Sequence, residues 1–287
     1  MGTPYAEVIG DPIAHSKSPL IHRFWLGKLR LEGEFYAVRV TKDSLHTYLS
    51  LRRSDPNWRG CNITSPLKEA AIAEAEWLDP MADKDDPYEA GAGAINTLVP
   101  SDDKGLRGYS TDAFAVRNLV LARIPAPPPG AYAISHIIGA GGAARAATRG
   151  LLDTPYGNPF FYNRTEARAQ DLSIEHRGQP QDGYPLAALN DPPGDSPMLI
   201  VNATPMGMTG YPPVPIDLAP LPSTAVILDM VYTPVETPLV RAAKALGLQV
   251  IDGLDMLVEQ AAPAFQFFFG ASAPRQHDAE LRELLTS

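Results

Sequence analysis

Tyr132-Ala133-Ile134-Ser135-His136-Ile137-Ile138-Gly139-Ala140-Gly141-Gly142-Ala143-Ala144-Arg145-Ala146 is the stretch whose reading decides the fold. The apolar run up to Ile138 reads as a buried strand, the glycines as a tight turn, and the small residues beyond as the opening of a helix. This is the Gly-x-Gly-x-x-Ala form of the dinucleotide fingerprint. Its glycines let the backbone approach a pyrophosphate, whose charge the helix N-terminus receives. A second strand, Pro159 to Tyr162, follows at the right interval. An NAD site would then show a carboxylate for the ribose 2′-hydroxyl. Asn163-Arg164-Thr165 stands there instead, with Arg168 one turn on, and a cation with a hydroxyl suits the 2′-phosphate of NADP. Glu166 is expected to face away on the next helix.

The alternation continues towards the C-terminus. Met198 to Val201 is a buried strand ending in the loop Asn202 to Met208, and Val226 to Val231 is the next strand, followed by Tyr232. Thr237-Pro238 starts a helix that ends near Gly247. Gln249 to Ile251 is a last strand, and Asp252-Gly253 leads into a long amphipathic helix, Met256 to Phe269. Its phenylalanines, Phe265, Phe268 and Phe269, are core residues by spacing. Gln260 is a polar amide among them that wants a partner.

Towards the N-terminus, the proline-rich piece Ile124 to Gly130 marks a boundary. Before it the chain reads strand (Ala6 to Ile9), helix (Leu20 to Leu29), strand (Glu34 to Val40), helix (Ser44 to Arg52) and strand (Arg59 to Ile63), an α/β unit with a largely parallel sheet. Ser18-Pro19 and Ser65-Pro66 both look like helix starts, with Ser as cap and Pro at the first helical position. The second predicts a helix to about Trp77 with Lys68 in its first turn, where the macrodipole disfavours an ammonium and eases proton exchange. Ser16 suits a ligand with several oxygens. Asp79 to Tyr88 is a charged excursion, and Gly91 to Leu98 turns into a strand with Asn96 either in a local Asx turn or aimed at a ligand. Asp102 to Gly105 reads as a hairpin turn. Thr111 is expected to cap a helix from Ala113 to Ala122, with Asp112 either a dipole-stabilising acid or a partner for Lys68 in a cleft.

The 287 residues suit two domains, and 24 basic against 33 acidic side chains argue against a nucleic-acid partner. No apolar run of about 18 residues suggests a membrane span, and no secretory signal is read at the start, so a cytoplasmic protein is expected. Met1-Gly2 resembles an acylation start, but Ala6 stands where that pattern needs a hydroxyl residue. The single cysteine, Cys61, excludes an intrachain disulfide and reads as a small buried residue rather than a nucleophile. No metal site is read.

Taken together, Gly10 to Pro19, Gly60 to Lys68, Gly93 to Thr97, Gly108 to Asp112, Gly139 to Ala146, Asn163 to Thr165, Asn202 to Met208, Asp229 to Leu239 and Gly253 to Ala261 closely resemble the shikimate dehydrogenase family, in the family's order. The resemblance implies reversible reduction of 3-dehydroshikimate to shikimate with NADPH, a step in chorismate and aromatic amino acid biosynthesis. It implies Lys68 as acid/base and Asp112 as its partner. It further implies Ser16, Ser18, Thr64, Asn96, Tyr232 and Gln260 as substrate contacts. For NADP it implies Gly139, Ala140, Gly141, Gly142, Ala143, Asn163, Arg164, Thr165, Arg168, Met230 and Gly253. The implied architecture is a two-domain α/β protein. A substrate-binding and catalytic domain spans 1–112 and a Rossmann-like domain 113–251, with a helical segment 252–287 returning to the first; the active cleft is expected at their junction. The expected partner is a small-molecule substrate, with no nucleic acid or membrane, and the protein a monomer or homodimer. Quinate or an aminated analogue is the alternative substrate, the paired serines favouring shikimate; a cofactor-binding regulator without turnover is the alternative class. Ser110, Ala113, Ala115, Arg23 and Asp255 depart from the family pattern, and Asp255 is expected to alter the fit near the nicotinamide end.

Overall fold

A computed structural model describes residues 2–77, 94–101, 105–128, 133–177, 180–190 and 197–287. The chain divides into two compact units, Met1–Thr111 with Val258–Ser287, and Asp112–Leu257. The fold is α/β, as the alternation of strand and helix patterns requires.

In the first unit, β1 (Tyr5–Gly10), α1 (Ser18–Leu29), β2 (Glu34–Arg39), α2 (Leu45–Arg52), β3 (Trp58–Ile63), β4 (Glu76–Trp77), β5 (Thr97–Pro100) and β6 (Leu106–Tyr109) follow in order. The sheet runs β2-β1-β3-β5-β6-β4. Its β2-β1-β3 half is parallel, while β5 pairs antiparallel with both β3 and β6, so the sheet is mixed. Residues of the charged excursion, of the Gly91 turn and of the tip between β5 and β6 (78–93 and 102–104) lie outside the described residues.

In the second unit, α3 (Thr111–Arg123) leads to β7 (Ile134–Ile138), α4 (Gly142–Leu151), β8 (Pro159–Asn163), α5 (Glu166–Arg177), β9 (Gly183–Pro185), β10 (Met198–Asn202), β11 (Val226–Asp229), α6 (Pro238–Ala245) and β12 (Gln249–Ile251). Its sheet order is β12-β11-β10-β7-β8-β9, and every pairing is parallel. Its central strands are buried and mostly apolar, as burial on both faces demands, with Ser135, His136, Asn202 and Asp229 as buried polar exceptions. The order reverses between β7 and β10, the place where open parallel sheets bind ligands beyond their carboxyl ends. The helix α7 (Gly253–Phe269) and a final helix α8 (Asp278–Thr286) complete the chain. Among the described residues no helix is long and apolar enough to cross a membrane. Phe265 and Phe268 are buried in the first unit, and Cys61 is fully buried, which pushes its thiol well above the usual range.

Three helix starts differ from their sequence patterns. Among the described residues up to Trp77 no α-helix follows Ser65-Pro66: the peptide is cis, Leu67 N–H closes a turn onto Thr64 O at 3.0 Å, and a short 3-10 turn, Ala70–Glu74, comes after Lys68. Ser-Pro serves a tight turn as readily as a helix start. Lys68 therefore does not stand in the first turn of an α-helix, and no helix macrodipole acts on its ammonium. Lys17, not Ser18, holds the cap position of α1, and Ser18 is its first helical residue. Thr111 begins α3 rather than capping it, because its N–H and hydroxyl are engaged by the side chain of Asn96.

Candidate functional site

In the first unit, register assembles the candidate residues at one edge of the sheet. Ile9 at the end of β1 pairs with Ile63 at the end of β3, so the segments carrying Ser16 and Ser18, and Thr64 and Lys68, leave the same edge. Thr97 pairs with Asn62 and with Tyr109, which brings Asn96 and Thr111 to that edge as well. Backbone bonds close the arrangement: Ile63 N–H to Asn96 O at 2.7 Å, Thr64 N–H to Ile9 O at 2.9 Å and Ile95 N–H to Lys68 O at 3.1 Å. Gly10 belongs to the same packing, since a Cβ there would press on the methyl of Thr64.

Asn96 is the centre of a buried polar cluster. Its Nδ2 donates to Thr111 Oγ1 at 2.8 Å and to Gln260 Oε1 at 3.4 Å, and its Oδ1 accepts the Thr111 N–H at 2.6 Å. Thr111 Oγ1 also meets Gln260 Oε1 at 3.4 Å and Thr97 Oγ1 at 3.3 Å, and Asn62 Nδ2 donates to Thr97 Oγ1 at 3.0 Å. Asn96 is thus no Asx-turn residue. Thr97 and Asn62, which the sequence reading passed over, and Thr111, which it took only as a helix cap, are as much part of the cluster as Asn96 and Gln260. No local pattern marks them, because each is a short polar residue in a strand or helix whose partner lies far along the chain. Ser16 has a local role: its Oγ accepts the Ser18 N–H at 3.3 Å. Lys68 is half-buried. Asp112, the second residue of α3, is buried in the second unit.

In the second unit, the glycine turn sits at the switch point. Gly139 has φ +117°, and a Cβ there would lie 3.0 Å from Ala203 O, so both its conformation and its neighbour require glycine. Arg168 on α5 reaches back to Ala140 O at 3.5 Å. A cavity of about 300 Å³ lies beside the turn, lined by Ala140, Arg145, Arg168, Asp171, Ile174 and Glu175. Arg145 is held by both oxygens of Glu175, at 3.0 and 2.9 Å, and donates to Ala140 O at 3.2 Å. Asn163 Nδ2 bonds Thr165 O, Arg164 and Thr165 are exposed, and Glu166 engages Gln170. A glycine turn with room for close approach, a helix N-terminus and a nearby arginine together fit a dinucleotide with a 2′-phosphate.

The far side of the switch point is organised by Asp229, which is fully buried. Its Oδ1 accepts from Asn202 Nδ2 at 2.9 Å and from Val231 N–H at 3.1 Å, and its Oδ2 from the Thr237 hydroxyl at 2.6 Å. Burial raises its pKa above the ordinary carboxylate value against those bonds. The carboxylate ties the Asn202 loop, the Met230-Val231-Tyr232 segment and the start of α6 together. Met230 and Tyr232 are half-buried there, and Gly253 is pressed against the Val231 carbonyl. The strand ends at Asp229 rather than at Val231, and a lone acid inside the apolar run Val226 to Val231 was the sequence signal for it.

The chain is 42% identical to the shikimate dehydrogenase (NADP(+)) of Sphingopyxis alaskensis over 285 residues, covering 99% of this chain and 98% of that one. It belongs to the shikimate dehydrogenase family. Within the family it is also 40% identical to the shikimate dehydrogenase (NADP(+)) of Methylobacterium radiotolerans, over 94% of this chain and 93% of that one. The family's profile for the shikimate dehydrogenase substrate binding domain matches residues 8–98, and that for the shikimate 5'-dehydrogenase C-terminal domain matches residues 253–280. Among solved structures of the family, shikimate 5-dehydrogenase from Thermus thermophilus in complex with NADP(H) and shikimate aligns with a TM-score of 0.80 at 33% identity, covering 98% of this chain and 99% of that one.

Proposed function

We propose that this chain catalyses the reversible NADPH-dependent reduction of 3-dehydroshikimate to shikimate. Kinship over essentially the whole chain with a shikimate dehydrogenase (NADP(+)) carries the proposal. When bound, NADPH supplies the hydride. Gly139, Ala140, Gly141, Gly142 and Ala143 would hold its pyrophosphate, and Asn163, Arg164, Thr165 and Arg168 its 2′-phosphate end. Met230 and Gly253 would meet the nicotinamide.

Reducing a ketone builds negative charge on its oxygen. In the proposal the Lys68 ammonium stabilises that charge and delivers the proton, and the Asp112 carboxylate holds the ammonium in place. Ser16, Ser18, Thr64, Asn96, Tyr232 and Gln260 bind the carboxylate and hydroxyls of the substrate. The Asn96–Thr111–Gln260 cluster supports this assignment, since fixed amides discriminate against a ligand that lacks the matching oxygen by leaving a buried group unpaired. Action in the cytoplasm, as a monomer or homodimer, belongs to the same proposal.

Incubation of the purified protein with 3-dehydroshikimate and NADPH, followed by chromatographic identification of the product, tests it. Shikimate is the expected product; unchanged 3-dehydroshikimate would refute the proposal.

A further inference from the structure

Asp255 departs from the family pattern and brings a negative charge to the turn that carries Gly253. The structure gives it a partner far away in sequence. Arg123, in the last turn of α3, donates from Nη1 to Asp255 Oδ2 at 2.6 Å and from Nη2 to Asp255 Oδ1 at 3.0 Å, a two-pronged pair. Each charge stands at the helix end that favours it, the acid in the first turn of α7 and the base in the last turn of α3.

The pair is built into the turn. Asp255 Oδ2, one of the two oxygens that Arg123 grips, also accepts the Asp252 N–H at 3.2 Å. Asp252 Oδ1 in return accepts the N–H groups of Leu254 and Asp255, at 3.0 and 3.1 Å. The Arg123 carbonyl accepts from Gln249 Nε2 at 2.7 Å, at the start of β12. Gly253 lies inside this frame, and a Cβ on it would overlap the carbonyl of Val231 and crowd the N–H of Tyr232. Charge adds to the frame: burial chiefly, and Asp252 in smaller part, raise the pKa of Asp229, so Asp252 and Asp255 of the turn stand near a third acid beside the residues that would meet the cofactor. Arg123 offsets part of that charge.

We infer that Arg123 and Asp255 are positioning residues for the cofactor, fixing the Gly253 turn against Val231 and Tyr232 and compensating its acids. The inference rests on the reading of Gly253 as a cofactor contact. It concerns residues that touch no reacting atom, so its signature is a change in NADPH affinity at unchanged shikimate affinity.

The test is fluorescence titration of the full-length protein with NADPH, in the wild type, R123Q, D255N and the double variant, at low and high salt. R123Q removes the guanidinium charge from beside the turn and should raise the NADPH Kd about tenfold at low salt, with the difference shrinking at high salt. D255N keeps the turn's shape and an acceptor oxygen, and should raise it about threefold. The double variant should stand within about twofold of D255N, because the two changes remove one interaction. Shikimate affinity should be unmoved. An unchanged NADPH Kd in R123Q with a lowered melting temperature would make the pair purely structural and overturn the inference. Should R123Q fail to fold, an unchanged Kd in D255N would overturn it equally. A wild type that does not bind NADPH at all would instead overturn the underlying reading, and the inference with it.

Discussion

Asn96 and Thr111 exchange two hydrogen bonds, the Thr111 N–H to Asn96 Oδ1 at 2.6 Å and Asn96 Nδ2 to Thr111 Oγ1 at 2.8 Å. One amide thereby satisfies a backbone donor in the first turn of α3 and fixes its own orientation, with its second donor direction towards Gln260. A side chain locked in this way recognises a ligand with little ordering cost.

Asn96→Ala should therefore act on folding and on binding together. It strands the buried Thr111 N–H, at a cost of about 1 to 3 kcal/mol. A lowered melting temperature and a shikimate KM raised about tenfold or more are expected, measured by calorimetry and steady-state kinetics. Wild-type KM in this variant would remove Asn96 from the substrate site.

Lys68→Ala should cut kcat by about 10² to 10⁴ if its ammonium transfers the proton. NADPH affinity, measured by titration, should remain near the wild-type value. Near-normal turnover in a folded variant would refute the role.

Arg168 and Arg145 line one cavity but differ in partners: Glu175 grips Arg145 with both oxygens, while Arg168 reaches towards the Ala140 carbonyl. Arg168→Ala should lower the preference for NADP over NAD by about 10- to 100-fold, the worth of one or more charge-assisted bonds to a phosphate. The ratio of kcat/KM for the two cofactors reads this directly, and an unchanged ratio would move the 2′-phosphate elsewhere.

His22 supplies a pH dependence. It is fully buried, stacked on Phe35 at 3.9 Å between ring centroids and surrounded by Trp25, Phe265 and Phe268. Burial depresses its pKa from 6.5 to about 3, against a smaller opposing effect of Asn62, which faces the ring without a hydrogen bond of good geometry. Between those values the unfolded chain binds the extra proton, so stability is lost as pH falls from about 6.5 towards 3. From pH 7 to pH 5 the loss from His22 is about 2 kcal/mol. His22→Phe should remove that share, while His136, held to about 4 by burial, keeps its own. Denaturant unfolding of both proteins at the two pH values measures the difference; equal losses would show that His22 does not carry it.

Features set by local pattern were legible in the sequence. The apolar run, glycine turn and small-residue helix around Gly139 leave one geometry open to the backbone, and the strand–helix alternation then dictates a parallel sheet. The two Ser-Pro pairs show where local reading stops. The same dipeptide lies at the start of a helix at Ser18 and in a turn at Ser65, and what decides between them is the surrounding structure. Nor is a tertiary partner written in periodicity. Asp255 read as a departure that alters the fit near the nicotinamide end because Arg123 lies far back in the chain, and Asn96 stayed open between a turn and a ligand contact because Thr111 meets it only once β5 and β6 have paired.

The most direct test of the central claim follows the reduced-nicotinamide absorbance of purified protein with shikimate or quinate and NADP or NAD, in all four combinations. Rapid reduction with shikimate and NADP, and much slower reduction in the other three, is the predicted result. A preference for quinate or for NAD, or no reduction in any combination from a protein that binds NADP, would contradict it.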